Sequence, residues 1–291
     1  MGNVINTNVK ALMASNALNK NGRVQQNVME SLSTGKSTNR ASDNAAGLSI
    51  RETMTAQING LNAAVKNAND SISMLQTADG ALNETSSMLQ RMRELAVLSV
   101  NDTYSSTQKT AMATEFNQLS SEIDRISTQT QWNGMAILNG SGGLYSGNTS
   151  TGQFTFQVGA NTAQTISVII GNVAITSGAA PVITGTLGGL SGASVANAAG
   201  ATLAIAALDV ALTTLNTQRS TIGAMVNRLT HAVDNLTNVA QNASDSRSKV
   251  EDTDYAAATS ELARTQIIAQ AATAILAQAN QQPQSVLSLL K

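Results

Sequence analysis

The chain has 291 residues, a formal net charge of −1 and no cysteine. The near-zero charge argues against a nucleic-acid binder that depends on a basic surface, and the lack of cysteine excludes disulfides and thiolate chemistry. The first residues lack the basic and then apolar regions of a secretory signal, so secretion requires a dedicated export apparatus.

The N-terminal region predicts one helix followed by a loop. The first forty residues carry a weak apolar stripe at helical spacing, formed by Ala17, Val24, Val28 and Leu32. Residues 34–47 (TGKSTNRASDNAAG) are rich in Ser, Asn and Gly, a composition typical of a loop.

The next segment predicts a long amphipathic helix, because apolar residues recur at alternating four- and three-residue steps. The seam begins with Ile58, Leu61, Val65, Ala68, Ile72 and Leu75, and continues through Leu82, Leu89 and Ala96. A second seam turns polar at Asp79, Ser86 and Arg93, which indicates a change of packing partner near Asp79 and Gly80.

A third helix follows, with its apolar positions at Met112, Phe116, Leu119, Ile123 and Ile126. Ser105 stands just before it, and Gln108 lies three residues later. This spacing predicts a capping box, in which each side chain bonds the other residue's backbone N–H.

The middle of the chain predicts a small β region. No charged residue occurs between Arg125 and Asp209. Residues 153–158 (QFTFQV) and 165–170 (TISVII) alternate at period two, and 159–164 (GANTAQ) read as a hairpin connection. Residues 171–200 predict short strands and loops.

The C-terminal region predicts two more helical stretches. The first is a sustained heptad, roughly 60 Å long if helical throughout, formed by Leu208, Leu212, Leu215, Arg219, Ile222, Val226, Leu229, Val233, Leu236, Ala240, Ala243, Arg247 and Val250. The second is uncharged and is predicted to turn one face, with Ile268, Ala272, Ile275 and Ala279, towards a partner. We expect Pro283 to end it before it reaches a membrane-spanning length, so membrane insertion is not predicted.

These patterns define a mainly α fold. Long antiparallel helices form a coiled-coil or bundle rod, with a small β-hairpin region in the middle of the chain. Neither terminal arm can bury its stripe alone, because isolated helices are marginal in water. The natural partner of one arm is the other, and the apolar surface that remains favours self-assembly.

Several stretches resemble bacterial flagellin, in a short form without large outer domains. The matching sequences are INTNVKALMASNALN, LSTGKSTNRASDNAAGLSI, LQTADGALNETSSMLQRMRELAV, EIDRISTQTQWNGMAIL and QANQQPQSVLSLL. The resemblance covers roughly residues 1–140 and 200–291. It implies a structural subunit, without enzymatic activity or a cofactor, that assembles into the helical flagellar filament used for swimming.

The resemblance also implies a division of the chain. Residues 1–44 and 251–291 would form the arms of an inner coiled-coil domain, and residues 45–140 and 201–250 the helices of a rod domain. Residues 141–200 would carry the β-hairpin and a short variable insert.

The same resemblance implies a route and a set of partners. The chain would be exported unfolded by the flagellar type III apparatus and would end in the extracellular filament. Its partners would be other copies of itself, an export chaperone, and the hook–filament junction and cap proteins. Two alternatives remain open: a hook–filament junction protein, and an adhesin or immune-receptor ligand built on the same rod.

Two groups of site residues follow from the resemblance. Arg91, Leu95 and Glu115 match the surface on which the Toll-like flagellin receptor docks, and the alternative role is axial packing between subunits. A second group would form the inner-domain packing and chaperone-binding face: Ile268, Ile275, Val286, Leu287, Leu289 and Leu290. The last four of these also match the apolar tail that cytosolic innate receptors sense.

Other candidate sites are weaker. His231 is the single histidine, so a two-His zinc site or a Ser–His triad within one chain is excluded. Residues 251–255 (EDTDY) are acidic but predict the start of the last helix, where carboxylates are favoured. The Ser/Thr-rich insert is a candidate for O-glycosylation or a plain surface loop. The amides of the last helix would either line the filament channel or bond neighbouring subunits.

Overall fold

A computed structural model describes residues 8–140, 152–175 and 195–288, with the backbone alone for 282–288. These residues form the helices α1 (Val9–Thr34), α2 (Ala45–Val100), α3 (Ser106–Gln129), α4 (Ala198–Glu251) and α5 (Tyr255–Ser288). The strands are β1 (Gln131–Trp132), β2 (Met135–Ala136), β3 (Gln153–Gln157) and β4 (Thr165–Ile169). The chain divides into a terminal unit, drawn from Met1–Ile58 and Gln241–Lys291, and a central unit, Asn59–Ala240.

The central unit buries the seams that the sequence predicts on α2, α3 and α4. Every predicted seam position of α4 from Leu208 to Leu236 is buried or half-buried, and so is every predicted apolar position of α2 and α3 in this unit. The largest fully buried side chains include Phe116, Leu75 and Ile222. The spacing of apolar residues in the sequence therefore correctly predicts which faces of these helices are buried.

The ends of α3 have specific local causes. Ser105 accepts a hydrogen bond from the Gln108 backbone at 3.3 Å, and the Gln108 side chain accepts one from the Ser105 N–H at 2.9 Å. The predicted capping box is thus confirmed. After α3, a tight hairpin pairs β1 with β2 across Asn133 and Gly134. Both have positive φ angles, 49° and 78°, as the favoured two-residue turns require.

The predicted hairpin at 153–170 is confirmed. β3 and β4 pair antiparallel, with Phe154 opposite Val168 and Thr155 opposite Ser167. Phe154 and Val168 are buried, while Thr155 and Ser167 are exposed, so the period-two alternation separates the two faces of the hairpin. Residues 171–175 contain no strand, the Gly/Ala/Ser/Thr-rich stretch 176–194 lies outside the described residues, and α4 begins at Ala198.

In the terminal unit, α1 and α5 pack side by side in antiparallel directions. Two hydrogen bonds fix their register: Asn21 Nδ2 donates to the Thr265 carbonyl at 2.7 Å, and the Tyr255 hydroxyl donates to the Leu32 carbonyl at 3.0 Å. The α5 positions turned towards this packing are buried or half-buried and repeat at heptad spacing: Leu262, Thr265, Ala269, Ala272, Leu276 and Ala279.

This seam corrects the predicted stripes on the two arms. Ala17 and Val24 on α1 are exposed, and only Val28 and Leu32 of the predicted stripe are partly covered. On α5, Ile268 is 41% exposed and Ile275 is 58% exposed. Ala272 and Ala279 of the predicted α5 stripe do lie in the seam, but Ile268 and Ile275 lie on a neighbouring, more exposed face.

The prediction that Pro283 ends the last helix is wrong. α5 continues through this position to Ser288. A proline removes one backbone donor from a helix and leaves the carbonyl four residues earlier without its usual partner. Here that carbonyl belongs to Ala279, and it accepts a hydrogen bond from Asn8 Nδ2 at 2.7 Å.

The two connectors between helices of the terminal unit also pair. Ser37 N–H donates to the Glu251 carbonyl at 2.7 Å, and Thr253 N–H donates to the Gly35 carbonyl at 2.9 Å. Asp254 then caps α5, because its Oδ1 accepts from Ala256 N–H at 2.9 Å. The acidic stretch at 251–255 therefore ends one helix and starts the next, as predicted.

Candidate functional site

The charged interruptions in the predicted seams form ion pairs. Arg219 Nε lies 2.9 Å from Asp79 Oδ1, and Arg93 Nε lies 2.6 Å from Asp209 Oδ1. The hydrogen bond from Arg93 lowers the pKa of the Asp209 carboxyl below its usual value. α2 continues without a break through Asp79 and Gly80, where the sequence predicted a change of packing partner, and Asp79 and Arg93 on either side of Gly80 both form ion pairs with α4.

Arg91 bridges α2 and α3 on the exposed surface of the central unit. Its Nε lies 2.8 Å from Glu115 Oε1, and its Nη1 lies 2.7 Å from Glu94 Oε2. The hydrogen bond that Arg91 donates to Glu115 is the largest cause of a raised Arg91 pKa, so the guanidinium stays charged. The structure thus brings Arg91 and Glu115 together and leaves each nearly half exposed.

Leu95 is placed differently from Arg91. It is only 2% exposed and belongs to the buried cluster that contains Phe116. Spacing of four residues puts two side chains on one face of a helix, but here the edge of the buried interface runs between them. Leu95 therefore lies beneath the surface that carries Arg91 and Glu115. The exposed apolar residue close to Arg91 in sequence is Val97, at 47%.

A second ionic cluster lies in the terminal unit, and sequence reasoning missed it. Glu251 is only 8% exposed, and its carboxylate forms ion pairs with three cations. Lys36 Nζ lies 2.6 Å and Arg51 Nη1 4.0 Å from its Oε1, and Arg247 Nε lies 3.7 Å from its Oε2. Arg51 Nη1 also donates to the Thr38 carbonyl at 3.1 Å. The sequence offered one sign of this cluster, because Arg247 is a charged residue within an apolar heptad. The other two cations, Lys36 and Arg51, come from a distant part of the chain.

The terminal helices expose large apolar side chains outside their shared seam. On α1 these include Leu12 at 58% and Met13 at 68%, and on α5 Ile267 at 66% and Ile275 at 58%. Of the predicted packing and chaperone face, Ile268 and Ile275 are on this exposed surface. Val286 and Leu287 lie in the part of α5 described by its backbone alone, and Leu289 and Leu290 lie outside the described residues.

The remaining candidate sites are the single histidine, a membrane-spanning helix and the Ser/Thr-rich insert. His231 is exposed on α4, and within the described ranges no group of three or more His, Asp or Glu residues is placed to hold a metal ion. α4 is long and apolar enough to cross a membrane by length and composition, although 28% of that window is buried. Most of the Ser/Thr-rich insert, the candidate for O-glycosylation, lies outside the described residues.

Comparison with known proteins identifies both ends of the chain. Residues 5–142 match the bacterial flagellin N-terminal helical region, and residues 205–290 match the bacterial flagellin C-terminal helical region. The flagellin of Halalkalibacterium halodurans is 42% identical over 288 residues, covering 99% of this chain and 100% of its own length.

Other relatives match over the same span. The flagellar filament 33 kDa core protein of Treponema phagedenis is 41% identical over 290 residues, covering 99% of this chain and 100% of its own. The flagellin of Bacillus subtilis is 39% identical over 305 residues and covers 99% of both chains. A crystal structure of Bacillus cereus flagellin is 29% identical, with a TM-score of 0.48, and covers 59% of this chain and 88% of its own.

The described residues are mainly helical, and the matched regions are those of a family of structural proteins rather than of enzymes. The chain belongs to the bacterial flagellin family, since both family regions match and relatives near 40% identity align along its whole length. Both ends match and the full-length relatives have a similar length, so the resemblance to a short flagellin is confirmed.

Proposed function

We infer that this chain is the repeating subunit of a helical flagellar filament outside the cell. Family membership supports this function, and one structural observation carries it. Both terminal helices expose large apolar side chains after they have paired with each other, including Leu12, Met13, Ile267 and Ile275. Several large exposed apolar side chains on one pair of helices favour an interaction site, and other copies of the same paired arms would cover them.

The proposed arrangement keeps the five-part organisation. Residues 1–44 and 251–291 form the inner coiled-coil domain, residues 45–140 and 201–250 form the rod domain, and residues 141–200 carry the hairpin and insert. The exposed amides of α5, such as Gln270 and Gln278, either face the channel or bond neighbouring subunits. In either position they give the helix a hydrated, polar surface without adding charge.

The route and partners complete the proposal. The chain leaves the cell unfolded through the flagellar type III apparatus, with an export chaperone on the apolar face of its C-terminal helix. It then meets the junction and cap proteins at the growing end. Large exposed aliphatic side chains support the chaperone step, because an amphipathic helix in a groove is a common way to cover such a face.

Sedimentation tests the filament function. Full-length protein with seeds is expected to pellet as long polymers, whereas a fragment of residues 41–250 is expected to stay in the supernatant as a helical monomer. The fragment keeps the central unit and loses α1 and α5. A pelleting fragment would contradict the assembly role of the arms.

The same experiment separates the two alternatives. A monomeric adhesin or receptor ligand leaves the full chain in the supernatant, and a hook–filament junction protein does not extend seeds into long filaments. Relatives described as flagellins and filament core proteins along the full chain favour the filament subunit.

Receptor docking is a second proposal, supported by the exposed Arg91–Glu115 bridge. Arginine is frequent among the residues that dominate binding energy, and Leu95 would act from beneath as a packing support. Arg91→Ala is expected to weaken signalling by monomer in receptor-expressing cells about tenfold or more, with secretion unchanged.

Arg125→Ala is the matched control, because Arg125 is also an exposed arginine paired with a glutamate, Glu122 at 2.5 Å. It is expected to leave signalling unchanged. Equal losses in the two variants, or an inactive wild-type monomer, would rule out this docking surface.

A further inference from the structure

Asn8 joins the start of α1 to the last turns of α5. Its Oδ1 accepts a hydrogen bond from Ala11 N–H at 3.1 Å, which makes Asn8 the N-cap of α1. Its Nδ2 donates to the Ala279 carbonyl at 2.7 Å. One amide side chain therefore satisfies a backbone donor of one helix and a backbone acceptor of the other.

The Ala279 carbonyl is the one that Pro283 leaves without a partner. In an α-helix the N–H of each residue bonds the carbonyl four residues earlier, and proline has no N–H. Ala279 is 7% exposed, so water has little access to it. A buried backbone acceptor without a partner is costly, yet α5 continues as a helix to Ser288.

We propose that Asn8 replaces the missing proline N–H, so that α5 continues past Pro283 only while α1 is paired with it. When α1 is absent, the Ala279 carbonyl loses its donor and Pro283 ends the helix near Ala279. The last residues then form a separate flexible segment. The order of this segment therefore depends on whether the two arms are paired.

This coupling gives the C-terminal tail two states, and its use rests on the proposed filament function. In a chain whose arms are apart, the residues after Pro283 are free to adopt the conformation that an export partner requires. In the paired arms residues 284–288 are helical and continuous with α5. Pairing of the N-terminal helix α1 thus decides whether the end of α5 is helical or flexible.

A disulfide between the arms fixes the paired state in the isolated chain. Ala14 and Ala272 are half-buried, and the hydrogen bonds Asn8–Ala279 and Asn21–Thr265 place these two positions opposite each other. The chain has no cysteine of its own, so Ala14→Cys with Ala272→Cys gives a unique cross-link. Hydrogen exchange of the 284–288 amides then reports the helix end in the oxidised and reduced full-length chain.

Asn8→Asp isolates the donor role, because aspartate is also a good N-cap but has no amide N–H. In the oxidised chain it is expected to speed exchange of the 284–288 amides about tenfold. Pro283→Ala restores the backbone donor, so in its presence Asn8→Asp is expected to change exchange by less than about twofold. Asn16→Asp makes the same chemical change at an exposed position of α1 and is the control, with no expected effect.

The outcomes separate cleanly. Faster exchange in Asn8→Asp with rescue by Pro283→Ala supports the proposal. Unchanged exchange in Asn8→Asp, an equal effect with and without Pro283, an oxidised chain in which the 284–288 amides are unprotected, or failure of the cysteines to cross-link would overturn it. Wild-type seeding and sedimentation test the filament function separately, so its failure leaves this result readable.

Discussion

At the residue scale, Glu251 shows how a single carboxylate holds distant segments together. Glu251→Gln keeps the shape of the side chain but leaves Lys36, Arg51 and Arg247 around a neutral amide. Breaking a buried ion pair costs about 3–5 kcal/mol, and the partial exposure of these cations reduces our expectation to about 1–3 kcal/mol. Chemical denaturation of the terminal unit, followed by hydrogen exchange on α1 and α5, measures this loss.

Glu52→Gln provides the matched control for that prediction. Glu52 pairs with the same Arg51 at 2.8 Å but is 65% exposed, and exposed pairs contribute little. We expect no measurable change in the stability of α1 and α5. If both variants lose stability equally, burial of Glu251 is not the cause.

Residue-level contacts are also where sequence reasoning reaches its limit. Arg91 and Glu115 could be named together from a resemblance, and the structure places their side chains 2.8 Å apart. Glu251 has one cation within reach along its own helix, Arg247 four residues earlier, but Lys36 and Arg51 lie in a distant part of the sequence and only the fold brings them to Glu251. The exposure of Ile275 was missed for a different reason: two adjacent heptad registers on α5, one through Ile275 and one through Leu276, are both apolar, and periodicity alone does not decide which of them faces α1.

At the scale of one element, the hairpin of β3 and β4 depends on Gly152 at its base. Gly152 has a φ of 60°, and a Cβ there would lie 2.0 Å from the Ile170 carbonyl oxygen. Ile170 N–H in turn donates to the Gly152 carbonyl at 2.9 Å. Gly152→Ala is expected to destabilise the central unit by about 2 kcal/mol or more, measured as a lower midpoint of chemical denaturation.

Gly80 offers the opposite result from the same substitution. It lies inside α2, and no atom stands within 4 Å of the place where a Cβ would be added. Gly80→Ala is expected to stabilise the helix by about 0.5–1 kcal/mol. Similar effects at both positions would show that backbone conformation and space do not decide the outcome.

Elements were predicted with different success because they depend on different signals. The capping box at Ser105 and Gln108, the hairpin at 153–170 and the long heptad of α4 are encoded by local spacing, and all are found. The small hairpin at Asn133 and Gly134 was missed, although an Asn-Gly pair is a strong turn signal. Pro283 misled the prediction because its cost is offset by Asn8, 275 residues away along the chain.

At the scale of the whole molecule, the arms present two different apolar faces. One face packs α1 against α5 and includes the half-buried Leu276, and the other exposes Ile275 at 58%. This division separates folding of the arm pair from assembly of the filament. A chain in which only the second face is damaged should therefore keep its paired arms and still fail to polymerise.

Ile275→Asp tests this division and the shared use of the exposed face. A carboxylate is costly at a position that becomes buried, so this variant is expected to lose both seeded polymerisation and binding to the export chaperone. Its helix content, measured by circular dichroism, should remain close to wild type, because Ile275 does not lie in the seam between α1 and α5. Leu276→Asp, one residue away, should instead disrupt the pair and lower helix content. If Ile275→Asp loses polymerisation but binds the chaperone at full strength, the two partners use separate surfaces, and if it reduces helix content as much as Leu276→Asp, the exposed face also contributes to folding of the arms.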